Sequence, residues 1–341
     1  MSSETDWSAE YARRLQTFDA LRVAIHDRLA ACLDREAIAL SQIESRTKTV
    51  RSFAEKITSK GKYADPLEEI TDLAGLRVIV YYPDDVRAVG AVIDRELTVD
   101  WTNSNRSGHD DPPDRFGYRS DHYIVSLPES ERFAGLRAEI QVRTVMQHAW
   151  AAVDHEIRYK AADLPRDLSR RLFRLSALLE LADEQFAGLQ LASRERSAEY
   201  ARALEHGDLA VAVDILSLRV LAERADVGQW WAQRAVALGY DPVDPDAGAR
   251  DDLMRLLHIV RRLGATVVAD VAALLPRDPD AGDAVLRDVI AGLRARPGQA
   301  TFWAFPGDVL ALIILGLQGT EPLIRASGFR PEIQDVLIRR L

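Results

Sequence analysis

The sequence predicts an α+β domain over residues 1–205 followed by an all-α domain over residues 206–341. Three observations predict it. Short segments rich in β-branched and aromatic residues fall at 76–82, 122–127 and 137–144, all within the first half of the chain. Long stretches with apolar residues three and four apart flank them. From Gly207 onward helical stretches alternate with Gly/Pro/Asp punctuation, as at 239–242, 276–279, 296–298 and 328–331.

The elements follow in order. Tyr11, Leu15, Phe18, Leu21, Ile25, Leu29, Leu33, Leu40 and Ile43 keep one amphipathic spacing, so a long helix is expected to open the fold and to run through the first forty-odd residues. Its His26-Asp27 pair is read as helix surface, because a metal-dependent phosphohydrolase needs several such ligands from different helices and the next histidine is His109. Cys32, the single cysteine, has no internal disulfide partner and is read as a small core residue. A second helical stretch carries basic residues and breaks at Gly61. Residues 76–82 form a buried strand ending at Pro83, and 86–97 are helical. Residues 100–117 are a loop dense in Asp, Asn, Gly and Pro, long enough to be read as functional. Two further strands lead into helices from Val145 to Tyr159 and from Leu164 to Glu205. In the second domain Trp230, Trp231 and the apolar run 309–317 are read as core. The Asp-rich turns at 244–246 and 278–283 lack EF-hand spacing and are read as turns and caps.

A net charge of −9 argues against non-specific DNA or RNA binding, which is driven by phosphate neutralisation. No run approaches the ~20 apolar residues of a membrane span, and the acidic amino terminus lacks a signal-peptide layout, so a cytoplasmic protein is expected. Anion binding must then be local. Residues 46–62 carry six basic side chains against Glu55, a net +5, which fits a nucleotide phosphate site or a solvated helix face.

Strand periodicity puts Glu139, Gln141 and Arg143 on one face and Ile140 and Val142 on the other. Asp72 precedes the strand at 76–82, and Arg77 lies in it. Two carboxylates from neighbouring strands are what Mg²⁺ bound to a triphosphate needs, because that ion takes one or two protein carboxylates beside phosphate oxygens and water. Basic residues on a nearby helix would hold the phosphates, and Tyr118 or Arg77 would stack on a base. This describes phosphoryl transfer by positioning and charge neutralisation, without a Walker loop.

Arg46-Thr47-Lys48 with Ser52 and Lys56, then Asp72-Leu73-Ala74-Gly75-Leu76-Arg77, then Gly117-Tyr118-Arg119-Ser120-Asp121-His122, then Glu139-Ile140-Gln141-Val142-Arg143-Thr144 resemble, in order and spacing, the synthetase domain of RelA/SpoT proteins. The similarity extends through Gln147-His148-Ala149-Trp150, covers roughly residues 10–200, and is nearest the small alarmone synthetases. It implies a nucleotidyltransferase-like mixed sheet flanked by helices. It implies transfer of the β,γ-pyrophosphate of ATP to the 3′-hydroxyl of GDP or GTP, with AMP released. By motif position Arg46, Lys48, Ser52 and Lys56 would contact ATP phosphates and Arg77 the adenine. Asp72 and Glu139 would hold Mg²⁺, and Tyr118, His122, Arg143 and His148 would serve the acceptor. Glu139 or Gln141 would assist proton removal. The resemblance also implies a synthetase without hydrolase activity, since residues before 45 leave no room for the family's hydrolase domain, and a homo-oligomer.

The loop at 109–116 departs from the usual basic pattern, because Asp110, Asp111 and Asp114 would repel a triphosphate acceptor, with Arg106, Arg115 and Arg119 as partial compensation. Two alternatives therefore stay open. One is a toxic synthetase that acts on the tRNA 3′ end, through a local patch at residues 46–62 or in the helical domain, such as Arg255, Arg261 and Arg262, or that makes adenine alarmones. The other is a nucleotide-sensing regulator without catalysis.

Overall fold

The computed structural model describes residues 6–106, 120–128, 131–160, 165–243, 251–295 and 302–341. The chain forms two compact units, Met1–Gln190 and Leu191–Leu341. The division falls within helix α6 (Arg166–Glu205), whose last residue is where the sequence reading draws its boundary.

The first unit is α+β. Helix α1 (Trp7–Arg35) is capped by Asp6, whose carboxylate accepts from the Ala9 N–H at 3.1 Å. It stops at Arg35, short of the expected length, because Ala37 takes a left-handed φ of 52° and turns the chain. Leu40 and Ile43 keep the helical spacing, yet they belong to strand β1 (Leu40–Thr47). Pairing with a neighbouring strand overrides local periodicity there, and Arg46 consequently sits on a strand rather than on the basic helix. That helix, α2 (Val50–Lys60), begins only after Thr49 accepts from the Ser52 N–H as its cap, and it ends at Gly61 with φ 56°.

After the short helix α3 (Pro66–Glu69) come β2 (Ala74–Val80), α4 (Pro83–Glu96), β3 (Thr98–Val99), β4 (Asp121–Ser126), β5 (Ala138–Thr144) and α5 (Val145–Lys160). The five strands form one mixed sheet in the order β1-β2-β5-β4-β3, with only β2 and β5 parallel. The expected strands are all present, and β1 and β3 were not legible as strands.

Register divides the sheet into two faces, since directly paired residues point the same way. One row runs Ser45, Leu76, Ile140, Tyr123, and the next runs Ile43, Val78, Val142, Asp121. These rows pack against Leu21, Ile25, Leu29 and Leu33 of α1 and Val89 and Ile93 of α4, all essentially without solvent exposure. Each such side chain contributes about 1.5–3 kcal/mol by leaving water. Cys32 lies in this core. A smaller cluster of Tyr11, Phe18, Phe53, Ile70 and Leu73 binds the start of α1 to α2, with the Tyr11 and Phe53 rings stacked at 4.4 Å.

The second unit is helical. Helices α7 (Ile215–Glu223), α8 (Gly228–Ala237), α9 (Asp252–Arg262), α10 (Val268–Leu274), α11 (Pro279–Arg294), α12 (Pro306–Gln318), α13 (Glu321–Arg325) and α14 (Pro331–Ile338) follow the end of α6. Val309 through Leu315 of α12 are wholly buried, as an all-round apolar helix requires, and Trp231 joins the same core. Asp278 caps α11, and buried Asp283 receives a two-pronged contact from Arg234 at 2.8 and 2.6 Å. The Asp-rich turn at 244–246 lies outside the described residues. Among the described residues no helix is long and apolar enough to cross a membrane.

Candidate functional site

The sheet face away from α1 and α4 carries the polar rows. Glu44, Arg77, Gln141 and His122 stand side by side across four strands, and Arg46, Gly75 and Glu139 form the adjoining row. Gly75 leaves a gap between Arg46 and Glu139, and a Cβ built there would meet only the Arg46 carbonyl, at 3.7 Å. The gap opens into a cleft of about 430 Å³ whose lining includes Glu44, Arg46, Asp72, Arg77, Glu139 and Gln141.

Asp72 sits in the turn just before β2 and is gripped from both sides. Lys48 Nζ lies 2.8 Å from Oδ2 and Lys56 Nζ 2.9 Å from Oδ1. Burial pushes this carboxyl up, but hydrogen bonds and charge from the two lysines outweigh it and hold the group below the usual aspartate range. Lys48 is fixed by its backbone: its N–H donates to the Leu73 carbonyl at 2.9 Å and its carbonyl accepts from the Tyr11 hydroxyl at 2.6 Å. Burial, and next the Asp72 charge, push the Tyr11 phenol up to about 12, so it stays a donor. Ser52, exposed one turn before Lys56, bonds its own cap Thr49.

Glu139 is oriented the same way by its neighbours. His122 Nδ1 lies 2.7 Å from Oε1, and Gln141 Nε2 donates to that oxygen at 3.0 Å. Burial raises this carboxyl, while His122 and Gln141 bring it below the usual glutamate range against the opposing charge of Asp72. The two carboxylates therefore feel each other across the cleft. Gln141 accepts from Arg143 through its other amide atom, which completes a chain Arg143–Gln141–Glu139–His122. Arg143 is almost fully buried, and burial with the nearby Arg77 charge brings its guanidinium down to about 10.

Arg77 donates to Glu44 at 2.8 Å. His148 lies at the start of α5, where Thr144 and Gln147 cap each other reciprocally at 2.9 and 3.1 Å and Thr144 also donates to Asp183 at 2.6 Å. Burial, Arg143 and Arg77 all hold the His148 imidazole below its ordinary value, so it is neutral at pH 7. Its Nδ1 is buried with no partner among the described residues.

Of the sequence-predicted residues, Arg46, Asp72, Arg77, Glu139 and Gln141 line one cleft. Lys48 and Lys56 join it through Asp72, and His122 and Arg143 join it through the Glu139 chain. Ser52 and His148 sit beside it on α2 and α5. Tyr118 and the acidic loop 109–116 lie outside the described residues. Sequence reasoning missed Glu44, and the Gln42/Glu44/Arg46 alternation was the signal that would have found it. It also missed Ser120, whose hydroxyl meets His122 Nε2 at 3.0 Å. Arg106, offered as compensation for the acidic loop, is already engaged: it binds Asp94 and lies 4.4 Å over the Trp101 ring. Arg255, offered for an RNA patch, binds Asp308.

Residues 45–163 match the region found in RelA / SpoT proteins. The chain is 28% identical over 164 residues to the GTP pyrophosphokinase YjbM of Bacillus subtilis (strain 168), covering 47% of this chain and 76% of that protein. It is 29% identical over 157 residues to the GTP pyrophosphokinase YwaC of the same organism, covering 44% and 74%. The crystal structure of small alarmone synthetase 2 from Bacillus subtilis aligns at 25% identity and a TM-score of 0.47, covering 54% of this chain and 99% of that one. The matched region takes in every residue lining the cleft except Glu44, so the cleft lies in the part of the chain that is similar to RelA/SpoT proteins.

Proposed function

We propose that the amino-terminal unit transfers the β,γ-pyrophosphate of ATP to the 3′-hydroxyl of GDP or GTP. The observation that carries this reading is the single cleft in which two ionised carboxylates, Asp72 and Glu139, face Arg46, Arg77 and two lysines. The curated relatives, named GTP pyrophosphokinases, support it.

In this reading Arg46, Lys48 and Lys56 bind the triphosphate, with Ser52 at the start of α2, and Arg77 stacks on the adenine. The acceptor's guanine stacks on Tyr118, with His122, Arg143 and His148 along the rest of the nucleotide. The acceptor oxygen attacks the β-phosphorus, the bond from that phosphorus to the oxygen of the α-phosphate breaks, and AMP leaves. Glu139 takes the hydroxyl proton. Gln141, an amide held between Arg143 and Glu139, orients that carboxylate rather than accepting the proton. The residues fit Mg²⁺: Asp72 and Glu139 are hard oxygen donors on the same cleft, and that ion takes one or two protein carboxylates beside phosphate oxygens and water. When bound, the ion neutralises charge on the phosphates.

The test offers β-labelled ATP with Mg²⁺ to GDP, GTP, ATP and deacylated tRNA in separate reactions. Label on GDP or GTP is expected. Label confined to tRNA or to ATP would replace this acceptor with one of those, and label on none would favour a regulator.

A further inference from the structure

The two carboxylates of the cleft are held differently. His122 Nδ1 and the Gln141 amide both meet Oε1 of Glu139. Asp72 instead holds an ammonium on each oxygen, Lys48 Nζ at 2.8 Å from Oδ2 and Lys56 Nζ at 2.9 Å from Oδ1. The side chains of Lys48, Asp72 and Lys56 are 12%, 24% and 30% exposed, so salt screens this trio less than it screens a surface pair. Neither lysine is a loose tether. The Lys48 backbone is fixed on both sides, its N–H on the Leu73 carbonyl and its carbonyl under the Tyr11 hydroxyl. Lys56 stands one turn beyond Phe53 on α2, and the Phe53 ring stacks on that same Tyr11.

One carboxylate shared by two ammoniums leaves positive charge in excess. A divalent cation approaching Asp72 by itself is repelled by both ammoniums and finds both oxygens taken. A triphosphate reverses the balance, because its several charged oxygens offer the lysines more than one carboxylate does. We infer that Lys48 and Lys56 keep Asp72 closed to a free divalent cation and release it when a triphosphate takes over their ammoniums, so that the cation enters with the nucleotide. This inference rests on the reading of the cleft as a triphosphate site. It gives the two lysines a second task beside phosphate binding, that of tying the metal's affinity to nucleotide occupancy.

Mn²⁺ binding to the full chain, read by water-proton relaxation, tests this without acceptor or turnover. Wild type should hold Mn²⁺ in the cleft with α,β-methylene ATP and only weakly with Mn²⁺ alone. Lys56→Gln should bind Mn²⁺ alone at least about 10-fold more tightly than wild type, and Lys48→Gln should show the same gain. Lys56→Arg keeps the charge and should bind Mn²⁺ alone as weakly as wild type. Asp72→Asn in the Lys56→Gln background should abolish the gain, which locates it on that carboxylate. Circular dichroism should show an unchanged fold in each variant. Binding of Mn²⁺ alone that is equal in wild type and both glutamine variants would overturn the inference, as would a Lys56→Arg variant that binds as tightly as Lys56→Gln. Binding with the analogue that is indifferent to Asp72→Asn would overturn the metal assignment and the inference together. Label transfer reads a different claim. Label on tRNA or ATP in place of GDP or GTP would move the acceptor, label on none would strike the transfer reading as a whole, and in each case the Mn²⁺ comparison alone decides the role of the two lysines.

Discussion

Asp72 and Glu139 are buried enough that desolvation works against their charge, and each stays ionised only because of specific partners. That makes the pair testable at the level of single atoms. Asp72→Ala and Glu139→Ala are each expected to abolish transfer with the fold intact; near-normal turnover in either variant would remove that residue from the site. The depressed pKa also fixes a sign. Asp72 contributes stability that is present above its unfolded pKa of about 3.9 and is lost as pH falls through its lower folded value. The gap in melting temperature between wild type and Asp72→Asn should therefore hold steady from neutral down to about pH 4 and close below it; a gap that closes near neutral pH would mean the lysines do not hold the carboxylate. Gly75 offers a complementary probe, since a side chain there projects into open cleft. Gly75→Val should weaken ATP binding by 10-fold or more, on the order of 1.4 kcal/mol, while leaving the melting temperature nearly unchanged. A large loss of stability would mean the glycine is needed for the strand, not for the space.

The reach of sequence reasoning shows most clearly at the level of elements. Strands β2, β4 and β5 were legible because β-branched and aromatic residues concentrate in them, and β5 revealed its working face through strict alternation. The placement of Asp72, Glu139 and Gln141 around one cleft follows from that alternation plus the motif order, whereas Arg46 reaches it from β1. Strand β1 was illegible because Leu40 and Ile43 continue the spacing of α1, and only its partnership with β2 makes it a strand. With β1 went Glu44, the partner of Arg77. The pairing of Lys48 and Lys56 on one carboxylate was equally hidden, since it depends on how the Tyr11–Phe53 stack sets α2 against the sheet. That dependence has a consequence. Tyr11→Phe keeps the ring and loses the hydroxyl that holds the Lys48 carbonyl. It should cost about 1 kcal/mol of stability and raise the KM for ATP more than that for the acceptor. Equal effects on both substrates would mean that the α1–α2 cluster does not position the phosphate site.

At the scale of the whole molecule, the two units bury separate sets of residues even though one helix runs through both. Leu172 of α6 is buried within the first unit and Leu204, thirty-two residues on, within the second. The core of the first unit is built on sheet rows covered by α1 and α4, that of the second on α12 with α8, α9 and α11 around it. Cores that share no side chain are expected to answer a packing defect separately. Leu29→Ala and Leu312→Ala each remove a fully buried leucine, one per core, and each should cost about 2–5 kcal/mol. Hydrogen exchange read by mass spectrometry should then show lost protection confined to residues 7–160 in the first variant and to residues 207–341 in the second. Loss spread evenly across both units in either variant would mean that the two form one cooperative body, and the helical unit would then be a structural support of the amino-terminal unit rather than a separable addition to it.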